Sequence, residues 1–161
     1  MAFIYESKYF NIEAVDKPLV DRNDGGHIVI NPKQRVSDLQ KLLPVQAIEL
    51  MRLLMVAGEA MSVALTKNGI AIGRINYQDN GNWGVFLTEG PYQHFHLYGR
   101  AKNAIGQKYG QALHFPHRNE QPELYEHLEP LTSDDILAIK TEIERLLLSE
   151  KYLNQAWGIL C

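Results

Sequence analysis

The sequence predicts an α+β fold: an antiparallel sheet of about five strands, one main helix and an extra C-terminal helix. Three observations predict it. Short runs of branched and aromatic residues, such as "HIVINP" and "HFHLYGRA", are bounded by Gly, Asn, Asp and Pro, the pattern of strands joined by turns. Two longer segments space their apolar residues at three and four, as helices with one buried face do. Those two helices stand apart from the strand runs, which argues for an antiparallel sheet.

The elements follow in order. "FNIEAVDKPLVDR" reads as one or two short strands broken at Lys17-Pro18. "NDGG" is a turn, because Asn and Asp tolerate a left-handed backbone and Gly25-Gly26 adopt it freely. In "HIVINP" the branched residues Ile28, Val29 and Ile30 favour a strand, and Pro32 ends it. Apolar residues at 48, 51, 54, 55, 61 and 65, with Gly58 in the same stripe, predict a helix over about 44–66. Pro44 suits its first turn. "NGIAIGRINYQ" returns to strand after an Asn-Gly turn, and "DNGNWG" is a loop. "VFLTEGPYQHFHLYGRA" reads as strand with a break at Gly90-Pro91, followed by an irregular connection. A last helix is predicted over about 133–150. Thr132 or Ser133 caps it, and Asp134 and Asp135 complement its positive end.

Bulk composition excludes several function classes. The 161 residues suit one domain with a real core, and 45% hydrophobic with 22% charged is ordinary for a globular chain. A net charge of −3 and a pI near 6.1 give no global pull toward nucleic acid or anionic membrane, so an anionic ligand must be held by local donors. The single cysteine, Cys161, excludes an internal disulfide and a thiolate zinc cage. "MAFIYESKYF" has no signal-peptide pattern, and no apolar run reaches membrane-spanning length. Cytosol is the expected compartment. P-loop, GxGxxG, HExxH and GxSxG motifs are absent.

The chemistry concentrates in "GPYQHFHLYGR", residues 90–100. On a strand, Tyr92, His94 and His96 share one face, while Gln93, Phe95 and Leu97 take the other. Same-face neighbours lie about 7 Å apart, so one phosphate-sized group can meet both imidazoles. Three readings compete. The two histidines could be half-buried rings bonded locally. They could form a two-ligand metal unit with His27, His114 or His117 as a third ligand, although no carboxylate has motif spacing to them. Or one imidazole is a nucleophile toward phosphorus and the other a donor to phosphate oxygens.

"GGHIVINPKQRVSDLQKL", then a helix, then "HFHLYGRA" resembles the histidine-triad (HIT) superfamily of nucleotide hydrolases and transferases, in its bacterial-type members. That family shows a GH-φφφ-x-P strand, a helix, and a H-φ-H-φ-H-φ-φ strand closed by Gly or a basic residue. The resemblance covers about residues 10–118, with the C-terminal helix as an extension of a single domain spanning 1–161. Leu97 and Tyr98 before Gly99-Arg100 set the register. His94 takes the middle, nucleophilic position and His96 the third, while Tyr92 replaces the first histidine. In the family, the carbonyl of that first residue accepts a bond from the far nitrogen of the nucleophile, and a tyrosine keeps the carbonyl.

The resemblance implies roles for other residues. His27 matches an additional histidine close to the triad. Asp21 matches the residue that holds ribose hydroxyls, across a turn about two residues shorter. Asn76, Asn80 and Asn82 lie where the family contacts phosphate, and Arg100 is a further phosphate ligand or a surface pair. His114 and His117 fall outside the motifs. The implied activity is attack by His94 on the α-phosphorus of a dinucleoside polyphosphate or an adenosine phosphoramidate. A covalent nucleotidyl-histidine forms, the leaving group departs with a proton from the His96 side, and water releases the monophosphate. No metal or cofactor is required for that step, and Mg²⁺ is expected only in company with a polyphosphate. The implied partners are a nucleotide substrate and a second copy of the chain in a homodimer, with no nucleic acid and no membrane. The alternative is a nucleotide-binding module with little or no turnover.

Overall fold

The computed structural model describes residues 1–79, 84, 85 and 87–159. Five strands and two long helices make the frame: β1 (Ala2–Glu6), β2 (Phe10–Ala14), β3 (His27–Pro32), α1 (Pro44–Lys67), β4 (Ile72–Asp79), β5 (Phe95–Ala101) and α2 (Ser133–Leu147). The strands form one antiparallel sheet in the order β1-β2-β3-β5-β4. The last two strands in sequence are thus inserted beside β3, which puts the two histidine-bearing strands next to each other.

Both helices cover one face of this sheet. Ile4, Ile12, Ile28, Ile30 and Leu97 point into the core, where they meet Leu53, Ala57 and Met61 of α1 and Ile139 and Ile143 of α2. Period-two alternation then turns His27, Val29, His96 and Tyr98 to the opposite face. A smaller apolar cluster of Leu19, Val20 and Tyr98 covers part of that face, with Phe115 and Tyr125 packed on it. No helix among the described residues is long and apolar enough to cross a membrane.

Helix ends follow local chemistry. Pro44 opens α1, and Gln46 Oε1 accepts the Leu43 N–H at 2.9 Å. At α2, Thr132 Oγ1 accepts from Asp135 N–H at 3.2 Å, and Asp135 Oδ2 takes the Thr132 N–H at 3.0 Å, a reciprocal cap. Asp135 is fully buried, and it also binds Arg22 Nε at 2.5 Å and Asn68 Nδ2 at 2.8 Å. One carboxylate therefore joins α2, the end of α1 and the turn before β3.

Three predicted elements differ. The stretch expected as strand from Val85 onward begins only at Phe95. Leu87 and Gly90 donate N–H bonds to Gly84 O and Leu87 O, closing turns, and Gly90 sits at φ +70°. Residues 19–24 are not strand, because Asp21 caps a short 3-10 turn, Arg22–Asp24. The helix expected to 150 ends at Leu147, where Ser149 Oγ donates to Leu146 O at 2.6 Å. An edge strand, β1, precedes the expected core boundary at residue 10. Gly25, at φ +132°, lies so close to Gly99 that a Cβ would fall 2.3 Å from the Gly99 carbonyl carbon. That contact seats the turn before β3 on the histidine strand.

Candidate active site

Strand register builds the site. His27 stands opposite Tyr98, Val29 opposite His96, and Gln78 of β4 opposite His96 from the other side. His27 Nε2 and His96 Nδ1 are 2.8 Å apart. His94 and His96 meet edge to face at 4.6 Å between ring centres. Tyr92 stacks on His94 at 4.5 Å, and the guanidinium of Arg35 lies 4.8 Å from the Tyr92 ring centre on the turn side. Arg35 also donates to the carbonyls of Glu89, Gly90 and Pro91, so it holds the turn that delivers Tyr92. The row from turn to strand is Arg35, Tyr92, His94, His96, His27.

Hydrogen-bond partners fix the proton on each imidazole. The Leu19 backbone N–H can only donate, and it meets His27 Nδ1 at 3.2 Å. His27 Nδ1 is therefore a lone pair, its proton sits on Nε2, and that N–H points at His96 Nδ1. His96 in turn carries its proton on Nε2. His94 Nδ1 faces the Tyr92 carbonyl at 3.0 Å, which accepts, so His94 Nδ1 is protonated and Nε2 carries a free lone pair. The reacting edge thus presents one nucleophilic nitrogen and, beside it, one N–H donor.

Electrostatics agree. Burial holds His27 well below the usual histidine range, assisted by repulsion from His96, Arg118 and His94. Burial, then repulsion from His94, brings His96 down to about 3. Both rings are neutral at pH 7. Among the described residues no group of three or more His, Cys, Asp or Glu side chains is placed to hold a metal ion.

The other expected site residues fall as follows. Asn76 of β4 stands opposite Tyr98, on the histidine face. Asn80 and Asn82 lie outside the described residues. Asp21 accepts backbone N–H bonds from Asn23 and Glu129, each at 2.7 Å, so both its oxygens hold the chain together. Arg100 is only 4% exposed and donates to the carbonyls of Gln107, Lys108 and Gln111. It lies four residues past His96, about 13 Å along the strand, and serves the loop after β5. His117 Nδ1 accepts from Asn119 N–H within its own loop.

Several participants escaped the sequence reading. Gln78 Oε1 is buried beside His96 with no hydrogen-bond partner among the described residues, and its spacing of two from Asn76 carried the signal. Gln93 is 2% exposed, and neither of its amide atoms has a hydrogen-bond partner among the described residues. It lines a cleft of about 200 Å³ beside Tyr92, together with Ser37, Asp38, Asp79 and Pro91. No signal pointed to Arg35 or to the Leu19 N–H.

No protein-family model matches the chain. No curated protein matches it either. Solved structures do. A hypothetical histidine triad nucleotide-binding protein from Sulfolobus tokodaii is 16% identical, with 90% of this chain and 85% of that chain covered and a TM-score of 0.57. A Hit-like protein involved in cell-cycle regulation from Bartonella henselae is 15% identical, covers 88% and 85%, and has a TM-score of 0.55. A zinc-bound histidine triad family protein from Mycobacterium smegmatis is 19% identical over 89% and 84%, at 0.53. A uridylyltransferase is 14% identical over 89% of this chain and 41% of its own, also at 0.53. The likeness is one of fold: this chain has the histidine-triad fold.

Proposed function

We propose that this chain, which has the histidine-triad fold, is a member of that superfamily and a nucleotide phosphohydrolase or nucleotidyl transferase that works through a covalent nucleotidyl-histidine. The observation that carries the reading is the pairing of a His94 Nε2 lone pair with a neighbouring His96 N–H on one face of the sheet. A phosphate-binding site alone needs donors only. A nucleophile beside a donor is the equipment of phosphoryl transfer, where attack and stabilisation of the phosphoryl oxygens occur together.

In this reading His94 Nε2 attacks the α-phosphorus of a bound nucleotide. The Tyr92 carbonyl holds the Nδ1 proton, which keeps the imidazole in the reactive tautomer and supports the positive charge that forms on it. His96 Nε2–H donates to a phosphoryl oxygen. His27 orients His96. Gln78, across the strand, supplies a buried acceptor for a substrate hydroxyl or water. Water then releases the nucleoside monophosphate. Any Mg²⁺ travels with a polyphosphate substrate.

Steady-state hydrolysis of diadenosine polyphosphate and of adenosine phosphoramidate, assayed with the wild type, His94→Ala and His96→Ala, tests the reading. His94→Ala is expected to lose at least ~10³-fold in kcat. His96→Ala is expected to lose about 10²-fold, as for one removed anion-hole donor. Tight reversible nucleotide binding with no product from the wild type would instead establish a binding module.

A further inference from the structure

On the helix side of the sheet, away from the imidazole row, one buried guanidinium stands without a counterion among the described residues. It borders a cavity of about 570 Å³ between α1, the end of α2 and two 3-10 turns, Glu150–Tyr152 and Asn154–Trp157. We infer that this cavity is a binding site for a monocarboxylate with an aliphatic chain, a medium-chain fatty acid, whose carboxylate is held by Arg52. Nothing in this site depends on nucleotidyl transfer.

Arg52 lies on α1 and is 8% exposed. Its Nε donates to the Tyr152 carbonyl at 2.7 Å. That is the one hydrogen bond of its guanidinium among the described residues, and no carboxylate among them forms an ion pair with it. Other arginines are better served. Arg22 meets Asp135, Arg145 meets Glu142, and Arg100 meets the carbonyls of three loop residues. Glu49, one turn earlier on α1, is committed elsewhere, because its Oε1 accepts from Ser7 Oγ and from the Tyr9 N–H. Burial lowers the pKa of Arg52 from its ordinary value, with Tyr5 and Glu49 acting against that. A guanidinium stays charged all the same. A buried charge is costly unless paired. The Nη groups, still without acceptors, present the fork that fits the two oxygens of a carboxylate.

The walls select the rest of the ligand. Leu147, Leu153 and Ile159 line the cavity with aliphatic carbon, and Asn154 and Gln155 add neutral amides. Arg52 is the one cation among the described lining residues, and the neighbouring cations Lys151 and Arg145 are paired with Glu59 and Glu142. A single positive charge matches a monoanion and leaves a phosphate dianion half neutralised. A cleft of this volume is of the size that encloses a small molecule. Its far wall is held in place without a ligand. Tyr152, 1% exposed, donates its hydroxyl to Glu59 Oε2 at 2.7 Å, Trp157 Nε1 donates to Lys151 O at 2.9 Å, and the Ile159 N–H reaches Asn154 O at 3.0 Å. Binding therefore has little protein ordering to offset.

Calorimetric titration of the full chain with octanoate, acetate, octanol and octyl phosphate tests the assignment. Octanoate is expected to bind one to one and to raise the thermal unfolding midpoint as its concentration increases. Acetate and octanol are each expected to bind at least ~10-fold more weakly, since one lacks the chain and the other the charge-assisted pair. Octyl phosphate is expected to bind no tighter than octanoate. Arg52→Met is expected to lose octanoate binding, but it also strips the Tyr152 carbonyl of its donor. Leu153→Glu is therefore the second variant. Leu153 is 40% exposed, so this chain is expected to fold as the wild type does, while the new carboxylate supplies Arg52 with a counterion and abolishes octanoate binding. No octanoate binding, octanoate bound no tighter than acetate or octanol, octyl phosphate bound more than ~10-fold tighter than octanoate, or binding unchanged in a folded Leu153→Glu each overturns the inference. So does octanoate binding that appears only once residues 160 and 161 are removed, because the chain's own end would then be the occupant.

Discussion

At Tyr92 the backbone and the side chain serve His94 separately. The carbonyl at that position fixes the His94 tautomer, and any residue supplies a carbonyl. What the side chain adds is a stacking platform that contacts both His94 and the Arg35 guanidinium. A stacked aromatic pair is worth about 1 kcal/mol beyond burial. Tyr92→Ala is therefore expected to lower kcat/KM about fivefold by loosening His94, with KM little changed. Steady-state kinetics on a diadenosine polyphosphate would show it. Residue-level chemistry was partly legible. The spacing of His94, His96 and His27 announced a cluster. The roles of Asp21 and Arg100 were not legible, because loops far along the chain return to claim them: the N–H of Glu129 for Asp21, the carbonyls of Gln107, Lys108 and Gln111 for Arg100.

At the scale of elements, the site depends on how the turn before β3 is held. Gly25 lies against Gly99, and Arg22 is tied to Asp135 at the start of α2. Gly25→Ala puts a side chain at a positive φ and into the Gly99 backbone. It is expected to cost about 3 kcal/mol or to prevent folding, as urea denaturation would report. Asp135→Ala breaks a buried ion pair and strips Asn68 and the α2 cap of their acceptor. Arg22 remains partly solvated, so the expected loss is about 3 kcal/mol, at the low end for such a pair. α1 and α2 were legible because their apolar stripes are long and their caps local. β1 was not. Of its five residues only Ile4 is buried, so the strand shows no alternation strong enough to read. The residues before β5 misled for the opposite reason: Val85 and Leu87 suggested strand, but a turn closes from Leu87 to Gly90 and the strand starts at Phe95.

The whole molecule couples site and stability through protonation. His27 and His96 are held below their unfolded value near 6.5, so each contributes stability that is complete above that pH and is lost as pH falls toward the folded value. For His96, lowering the pH from 7.5 to 5 is expected to cost about 2 kcal/mol, and His27 acts in the same direction. Asp135 acts in a lower window. Burial alone would raise it, but hydrogen bonds from Arg22, Asn68 and Thr132 outweigh that and bring it down to about 2. Its contribution is present above the ordinary carboxylate range and disappears between about pH 4 and pH 2. Urea midpoints across pH should therefore fall in two stages, and His96→Gln should flatten the upper one alone. The fold class was legible from patterning and from two short motifs. The neutral state of His27 and His96 was not, since it rests on their burial by residues distant in sequence, such as Leu19 and Phe115, gathered on that face of the sheet.

Covalent nucleotidylation of His94 is open to direct detection by rapid acid-free quench of the wild type with diadenosine polyphosphate, followed by peptide mass spectrometry. An adenylyl adduct is expected on the peptide containing His94, absent from His94→Ala and still formed, more slowly, by His96→Ala. Burst-phase monophosphate release with no adduct on any histidine would contradict it.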